Sequence, residues 1–466
     1  MLLSLVVVVA LVAAGAQWRF DALGKAGRNL GLIEADTPAE IAAPVGLKLP
    51  EQTLARPVAA ALDSGAPSAQ KITRALKKIL PEKALGSHVG MLVATLDGQT
   101  LFRRGSAAMT PASTTKLLTS TAALHALGPM ATFTTSTRLV PGTHRVVLVG
   151  GGDPYLASTA KAARGLPAPA TTAKLAAQTA RALQAKGIKE VRLRYDDHLF
   201  TGPAVSPTWP STYLPENVVP PISALWVDEA KGSSGYVSDP AADAAGVFAD
   251  QLRSHGIRVL GRTSDVVTPD GASRLAKVSS APLGQIVQHL LDVSDNNAAE
   301  VVARHVGAKV DDDASFAGAT KAVTSTLDKI GVDTDHLKLY DGSGLSRRNR
   351  ITPRTLVDVL RLAAGPGRAE LRDVVTGLPV AGFTGSLAGR YVEAPHAGLG
   401  RVRAKTGTLT GVSALAGIAV DLDGDQVVFA FMADKIRPED TLKARAALDA
   451  LTATLGACAC GTGTAP

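Results

Sequence analysis

"PASTTKLLTSTAALHALG", Pro111 to Gly128, is the stretch on which the reading of this chain turns. Ser113 opens an apolar helix there, and Lys116 follows one helical turn later on the same face. Ser-x-x-Lys alone fits a capped helix with an incidental lysine as well as a serine activated by an amine. The pattern occurs three times, at Ser68/Lys71, Ser113/Lys116 and Ser158/Lys161. Ser68 begins the amphipathic run "PSAQKITRALKKIL", where a serine serves as a helix cap. Ser158 follows "LVGGGDPYLA", with no helix well placed to hold its lysine against it.

The flanks of the Pro111 stretch set its context. "HVGMLVATLDGQTLFRRG" precedes it, two apolar strands about the turn signal Asp97-Gly98. From about residue 133 short β-branched strands ("TFTTSTRLV", "HRVVLVGGG", "EVRLRYDD") surround one helix, "TTAKLAAQTARALQAKG". Proline-rich loops follow, and the block ends in a further helix and strand, "DAAGVFADQLRSHGIRVLG". After about 275 the pattern predicts helices over "PLGQIVQHLLDV", "AAEVVARHVG" and "TPRTLVDVLRLAAG". Strands follow over "GRVRAKTGTL" and "SALAGIAVDLDGDQVVFAFMAD", with a last helix from about Glu439. One strand pair near the start and three strands near the end predict a single antiparallel sheet built from both termini. The middle block reads as a separate unit inserted between its halves.

Two further tripeptides lie on these elements, Ser294-Asp295-Asn296 at a break between helices and Lys405-Thr406-Gly407 on a strand. Each occurs once. A serine hydroxyl is a poor nucleophile until a base takes its proton. An ordinary lysine, with a pKa of about 10.4, is neutral roughly once in two thousand at pH 7. Lowering it to about 7.5 requires roughly 4 kcal/mol of destabilisation of the ammonium. Burial and a second cation, Lys405, are the two available sources. The helix N-terminus at Ser113 also favours developing negative charge.

In this order the three motifs resemble those of β-lactamases and penicillin-binding proteins. With "LVGGGDPYL", "SDNNAAE", "YDGSGLSRRNRITP" and "KTGTL", the chain is similar to the D-alanyl-D-alanine carboxypeptidase/endopeptidase family, the class C low-molecular-mass penicillin-binding proteins. The resemblance runs from about residue 85 to residue 435. It implies an α+β fold: a serine β-lactamase/transpeptidase-like domain, an antiparallel sheet flanked by helices, split by an inserted smaller α+β domain. About 180 residues separate Ser113 from Ser294, far more than a loop needs. The expected organisation is a signal peptide or membrane anchor over 1–24 and an Ala/Pro-rich linker over 25–66. The penicillin-binding domain then takes 67–132 with 275–466, and the insert takes 133–274.

The resemblance implies the roles as well. Ser113 would be the acylated nucleophile and Lys116 its base, while Ser294 would relay a proton toward the leaving group. Asn296 would bind the substrate amide, and Lys405 and Thr406 its terminal carboxylate. The backbone N–H groups of Ser113 and Thr408 would form the oxyanion hole. Asp295, Gly150 to Pro154 and Asp341 to Ser346 would shape loops. The implied activity is serine-type hydrolysis of the D-Ala-D-Ala terminus, or of D-Ala–diamino-acid crosslinks, of peptidoglycan. Stem peptides would be the substrates and β-lactams covalent inhibitors. A β-lactamase shares the trio but has no use for an insert of this size, and a non-catalytic wall-binding protein would be expected to have lost the nucleophile.

Composition narrows the partners. The 466 residues carry a net charge of +8, are 46% hydrophobic and 19% charged, and suit a globular chain. With 4% aromatic residues and Lys and Arg spread throughout, there is no stacking platform or basic arm for nucleic acid. The uncharged run "MLLSLVVVVALVAAGA" resembles the apolar part of a secretory signal, with Ala14-Gly15-Ala16 as its candidate cleavage site. An extracytoplasmic enzyme, touching the membrane only through that segment, is expected. The two cysteines, Cys458 and Cys460, allow a tight Cys-x-Cys bridge. Neither metal nor cofactor is called for, since HExxH is absent and the nine histidines are scattered singly.

Overall fold

The computed structural model describes residues 66–80, 82–165, 167–391 and 396–461. The expected N-terminal signal or anchor, and the linker up to residue 65, lie outside the described residues. In chain order come α1 (Ala69–Ile79), the hairpin β1 (His88–Thr95) and β2 (Thr100–Arg104), and α2 (Thr115–Leu127). Then follow β3 (Thr134–Leu139), β4 (Arg145–Val149), α3 (Thr172–Gln184), β5 (Glu190–Asp196), α4 (Pro240–Ser254), β6 (Arg258–Val259) and β7 (Ser273–Ser279). The helices α5 (Leu283–Asp292), α6 (Asn296–Asp311), α7 (Phe316–Lys329) and α8 (Pro353–Ala364) lead to β8 (Val402–Leu409), β9 (Val412–Val420), β10 (Gln426–Asp434) and α9 (Thr441–Ala457).

The main sheet is antiparallel, in the order β8-β9-β10-β1-β2, so its first and last strands by sequence meet at its centre, β1 against β10. The expected α+β architecture is the observed one. β10 shows why its sequence reads as an unbroken apolar run. Val428, Ala430 and Met432 face one core with α2, α5, α6 and α8. Val427, Phe429, Phe431 and Ala433, alternating with them, face a second core with α1 and α9. A central strand covered by helices on both faces has no polar side to show.

Helix α2 runs inside the first core, with every residue from Thr115 to Leu124 buried. Over that stretch it has no solvent face, the mark of a core helix, and His125 in its last turn reaches the surface. It carries Lys116 into the interior. One helix exceeds the sequence expectation. α7 is rich in Thr, Ala and Gly and has little intrinsic helix preference, and it forms because Ala322, Val323 and Leu327 pack into the α2/α6 core. Ser68 caps α1, its hydroxyl accepting from the Lys71 N–H at 3.4 Å. Cys458 and Cys460 are bridged.

A second sheet, in the order β6-β5-β4-β3-β7, is built wholly from the middle of the chain, with β4, β5 and β6 parallel and β3 antiparallel to β4 and β7. α3 and α4 pack on it. Its last strand runs to Ser279, past the boundary expected at 274, because β7 pairs with β3 along its whole length. Buried Arg304 of α6 fastens the middle block to the helices. It donates to the carbonyls of Thr201 (2.7 Å), Pro203 (2.8 Å) and Ala314 (2.6 Å) and lies 4.0 Å over the Phe316 ring. Arg304→Met is therefore expected to lower unfolding free energy by about 3 kcal/mol or more, since three carbonyls, that of Ala314 buried and those of Thr201 and Pro203 partly so, lose a charged donor. Denaturant unfolding measures this, and a loss below about 1 kcal/mol would contradict it.

Candidate active site

The site forms where α2, the loop before α6 and the edge strand β8 meet. Ser113 lies in the 3-10 turn Ala112–Thr114 that leads into α2 and is half-buried. Its neighbour Ala112 has a φ of 48°, a conformation alanine adopts only at a cost. Two glycines let other segments press against this turn. A Cβ on Gly407 would stand 2.5 Å from the Pro111 carbonyl oxygen. One on Gly344, whose φ is +89°, would stand 1.9 Å from that of Ala112. The glycine of Lys-Thr-Gly is thus needed for β8 to approach the serine turn.

Fully buried Lys116 has three partners: Ser113 Oγ at 2.9 Å, Asn296 Oδ1 at 2.7 Å and the Ser343 carbonyl at 2.8 Å. A neutral amine has two N–H donors and one lone pair. The amide and carbonyl oxygens can only accept. When Lys116 is neutral they take its two hydrogens, and the lone pair is left for the Ser113 hydroxyl proton. Burial pushes the Lys116 pKa down to about 8, while the carboxylates of Glu300, Asp295 and Asp341 pull the other way. The sequence argument named Lys405 as a second source of this lowering. The structure corrects that: burial does it, and it is Lys405 that is held well down, first by its own burial and then by the Lys116 charge.

Lys405 is also fully buried, and its Nζ donates to Ser294 Oγ at 2.8 Å and to the Thr406 carbonyl at 3.0 Å. Ser294 has a φ of 62°, a left-handed position between α5 and α6 that turns it toward β8. Asp295 caps α6, accepting from the Ala298 N–H at 3.1 Å, which starts the helix at Asn296 and fixes the amide beside Lys116. Ser113, Lys116 and Asn296 thus form one hydrogen-bonded group and Ser294 and Lys405 a second, with Lys405 near enough to feel the Lys116 charge. Thr406 is adjacent, its hydroxyl 2.9 Å from that of Ser386. Thr408 is exposed on the same strand. Neither of the other Ser-x-x-Lys pairs makes such a contact. Ser158 lies in a loop where its N–H donates to Asp228 and its carbonyl accepts from Gln251.

Glu300 and Glu229 have no role in the sequence reading, and the loop-shaping parts expected of Asp341 and of Gly150 to Pro154 gain named partners. Glu300, one turn along α6 from Asn296, is buried and accepts from the N–H groups of Gly342 (3.0 Å) and Ser343 (2.8 Å), which holds the Ser343 carbonyl against Lys116. Its carboxyl is raised to about 7, by burial first and then by Asp341. Asp341 organises the same loop, accepting from Trp209 Nε1 (2.8 Å), Gly344 N (3.0 Å) and Asn349 Nδ2 (2.6 Å). From the middle block, Glu229 faces Asp295 and bonds Lys231 at 2.9 Å, its carboxyl raised by burial and by Asp295. The glycines of "GGGDPYL" pin that block to α6, with the Gly152 carbonyl 2.8 Å from His305 Nε2. An acid four residues after Asn296 was the one readable signal, because i and i+4 share a helix face.

The sequence profile of the D-Ala-D-Ala carboxypeptidase 3 (S13) family matches residues 72–234 and 229–455. The chain belongs to that family. It is 34% identical over 440 residues to a carboxypeptidase of Mycobacterium tuberculosis, covering 91% of this chain and 92% of that one. Carboxypeptidase DacB of Mycolicibacterium smegmatis is 34% identical over 470 residues, 98% of this chain and 96% of its own. Among solved structures, penicillin binding protein 4 (DacB) from Haemophilus influenzae shares the fold, with a TM-score of 0.67 and 23% identity over 82% of this chain and 98% of that one. This S13 member is therefore an enzyme, a hydrolase of the D-alanyl-D-alanine carboxypeptidase kind.

Proposed function

We propose that this S13 carboxypeptidase works through an acyl-enzyme on Ser113. The observation that carries the reading is the three-partner setting of Lys116. Ser113 Oγ attacks the carbonyl carbon of the D-Ala-D-Ala bond as its proton passes to Lys116 Nζ. The N–H groups of Ser113 and Thr408 receive the negative charge on the carbonyl oxygen. The C–N bond then breaks, and the departing amine takes a proton delivered through Ser294. Water, deprotonated by the same amine, cleaves the ester and frees Ser113. Lys405 and Thr406 hold the terminal carboxylate, and Asn296 holds the substrate amide.

The substrates are peptidoglycan stem peptides, cleaved at the D-Ala-D-Ala terminus and at D-Ala–diamino-acid crosslinks. β-Lactams acylate the same serine. The work is extracytoplasmic, with the apolar N-terminal run as export signal or anchor. Among the described residues no helix is long and apolar enough to cross a membrane. The segment from about 133 to Ser279 is an insert, and the flanking pieces form the penicillin-binding domain. Labelled penicillin followed by peptide mapping tests the core of this reading. One equivalent of label on Ser113 is expected, and label on Ser68, on Ser158 or nowhere would overturn it.

A further inference from the structure

Residues 66–104 carry seven lysines and arginines against two acids, which is five of the chain's net charge of +8. The fold gathers these cations on one face. Helix α1 turns Ile72 and Leu76 into the second core and leaves Gln70, Arg74, Lys77 and Lys78 exposed, at the spacing of one helical side. β2 packs beside it, tied by the Thr73 hydroxyl, which donates to the Leu101 carbonyl at 3.4 Å. Lys77 and Leu80 share a hollow of about 840 Å³ with Lys83, Phe102, Arg103 and Arg104. No acidic residue lines that hollow, and neither α1 nor β2 contains one. Arg74, Lys77, Lys78, Lys83 and Arg103 have no hydrogen-bond or ion-pair partner among the described residues. Ile79, next to Lys78, is 37% exposed.

Two ordinary reasons for such charges fall short. Cations on an edge strand keep other strands from pairing with it, and β2 is an edge of the main sheet. That accounts for Arg103 and Arg104, but α1 has no edge to guard. A solvated helix face mixes charge signs and pairs them at i and i+4. The face of α1 bears one sign only.

The place of the patch in the chain points to its partner. The apolar run over 1–16 reads as an export signal or anchor, and the chain from it enters the described fold at α1. In a protein held by that run, α1 is the first described element along the chain from the bilayer. Anionic headgroups attract clustered cations, each basic residue near the surface strengthening binding about fivefold. Ile79 and Leu80 lie among the cations and supply apolar contact at the acyl boundary. Topology sets the orientation. β2 and β8 are the opposite edges of the five-stranded sheet, so a membrane on the β2 side leaves the cleft at β8 facing away from it.

We propose that the α1–β2 face docks on an anionic membrane surface, with phosphodiester headgroups seated among Lys77, Lys83, Arg103 and Arg104. The catalytic cleft is then turned outward, toward the wall. This docking is electrostatic and does not depend on the acyl-enzyme reading.

The test is sedimentation of the full chain with two kinds of vesicle, phosphatidylcholine alone and phosphatidylcholine with about a third phosphatidylglycerol. The apolar N-terminal run meets both alike, so the difference between them reports the patch. Wild-type affinity is expected to be at least tenfold higher for the charged vesicles at about 0.1 M salt. That preference should vanish near 1 M, where the Debye length falls to about 3 Å. A variant combining Arg74→Gln, Lys77→Gln, Lys78→Gln and Lys83→Gln keeps both arginines of the edge strand and is expected to lose the preference at any salt. Its D-alanine release in solution should match the wild type, which reports an intact fold. Equal wild-type affinity for both vesicles, or a variant that keeps the preference, would overturn the proposal. So would a soluble polyglycerol phosphate that binds the wild type when charged vesicles do not, since the partner would then be an anionic wall polymer.

Discussion

Ser113→Ala is expected to abolish turnover, lowering kcat for D-alanine release by about 10⁴-fold or more and eliminating the penicillin adduct. The side chain is half-buried, and among the described residues its hydroxyl bonds only to Lys116. Removing it therefore subtracts one oxygen and leaves the helix start, β8 and the Lys405 cluster as they are. Alanine is comfortable in the first turn of a helix, so thermal unfolding should move by no more than a degree or two. The groups assigned to binding, Asn296, Lys405, Thr406 and Thr408, remain, so the variant should still bind the pentapeptide and hold it uncleaved. Equilibrium binding of the peptide, paired with release of D-alanine, checks both halves. Hydrolysis within tenfold of the wild type would remove Ser113 from the mechanism, whatever else the cleft contains.

The parts of this site that sequence could show are side chains that carry chemistry at fixed local spacing. Ser113 and Lys116 share one turn of one helix, so their proximity follows from helix geometry alone. The sheet was legible for a similar reason: β1, β9 and β10 are apolar runs near the two ends of the chain, and a strand buried on both faces has to pair centrally. What stayed hidden is held together by tertiary contact. The Ser343 carbonyl that fixes the Lys116 amine is backbone, and no residue type announces it. Ser386 meets Thr406 only because the segment after Val380 folds onto the end of β8. α7 lacked a readable period because its helix depends on packing against α2 and α6 more than on its own residues. The second sheet's edge strand, "SRLAKVS", mixes exposed and half-buried residues without a clean alternation, and its length became visible only through pairing with β3.

Of the two sources that the sequence offers for the lowered Lys116 pKa, burial holds and the second cation, Lys405, does not, for a physical reason. Opposing cations are visible as letters, whereas burial is a property of the whole fold. α2 is enclosed on every side, and that enclosure brings Lys116 to about 8 despite three nearby carboxylates. Lys116→Met is therefore expected to do two things at once. It should slow acylation of Ser113, read as the rate of penicillin incorporation, by about a thousandfold, within the range of a lost general base. It should also flatten the pH profile. The sign follows from which form has the lone pair. Below pH 8 Lys116 carries a proton, donates to all three neighbours and cannot take one from Ser113. Above pH 8 it is neutral, and Ser113 can pass its proton over. The wild-type acylation rate should thus rise about tenfold per unit up to pH 8 and level off above it. At pH 7 the neutral fraction is about one in ten, roughly two hundred times that of an ordinary lysine. Methionine has a comparable unbranched stem and no ionisable group, so its residual rate should not bend near pH 8. Rapid-quench measurement of penicillin incorporation from pH 5.5 to 9.5 separates the outcomes. A wild-type profile that falls as pH rises through 8, or a methionine variant that keeps the wild-type bend, would show that another group takes the serine's proton.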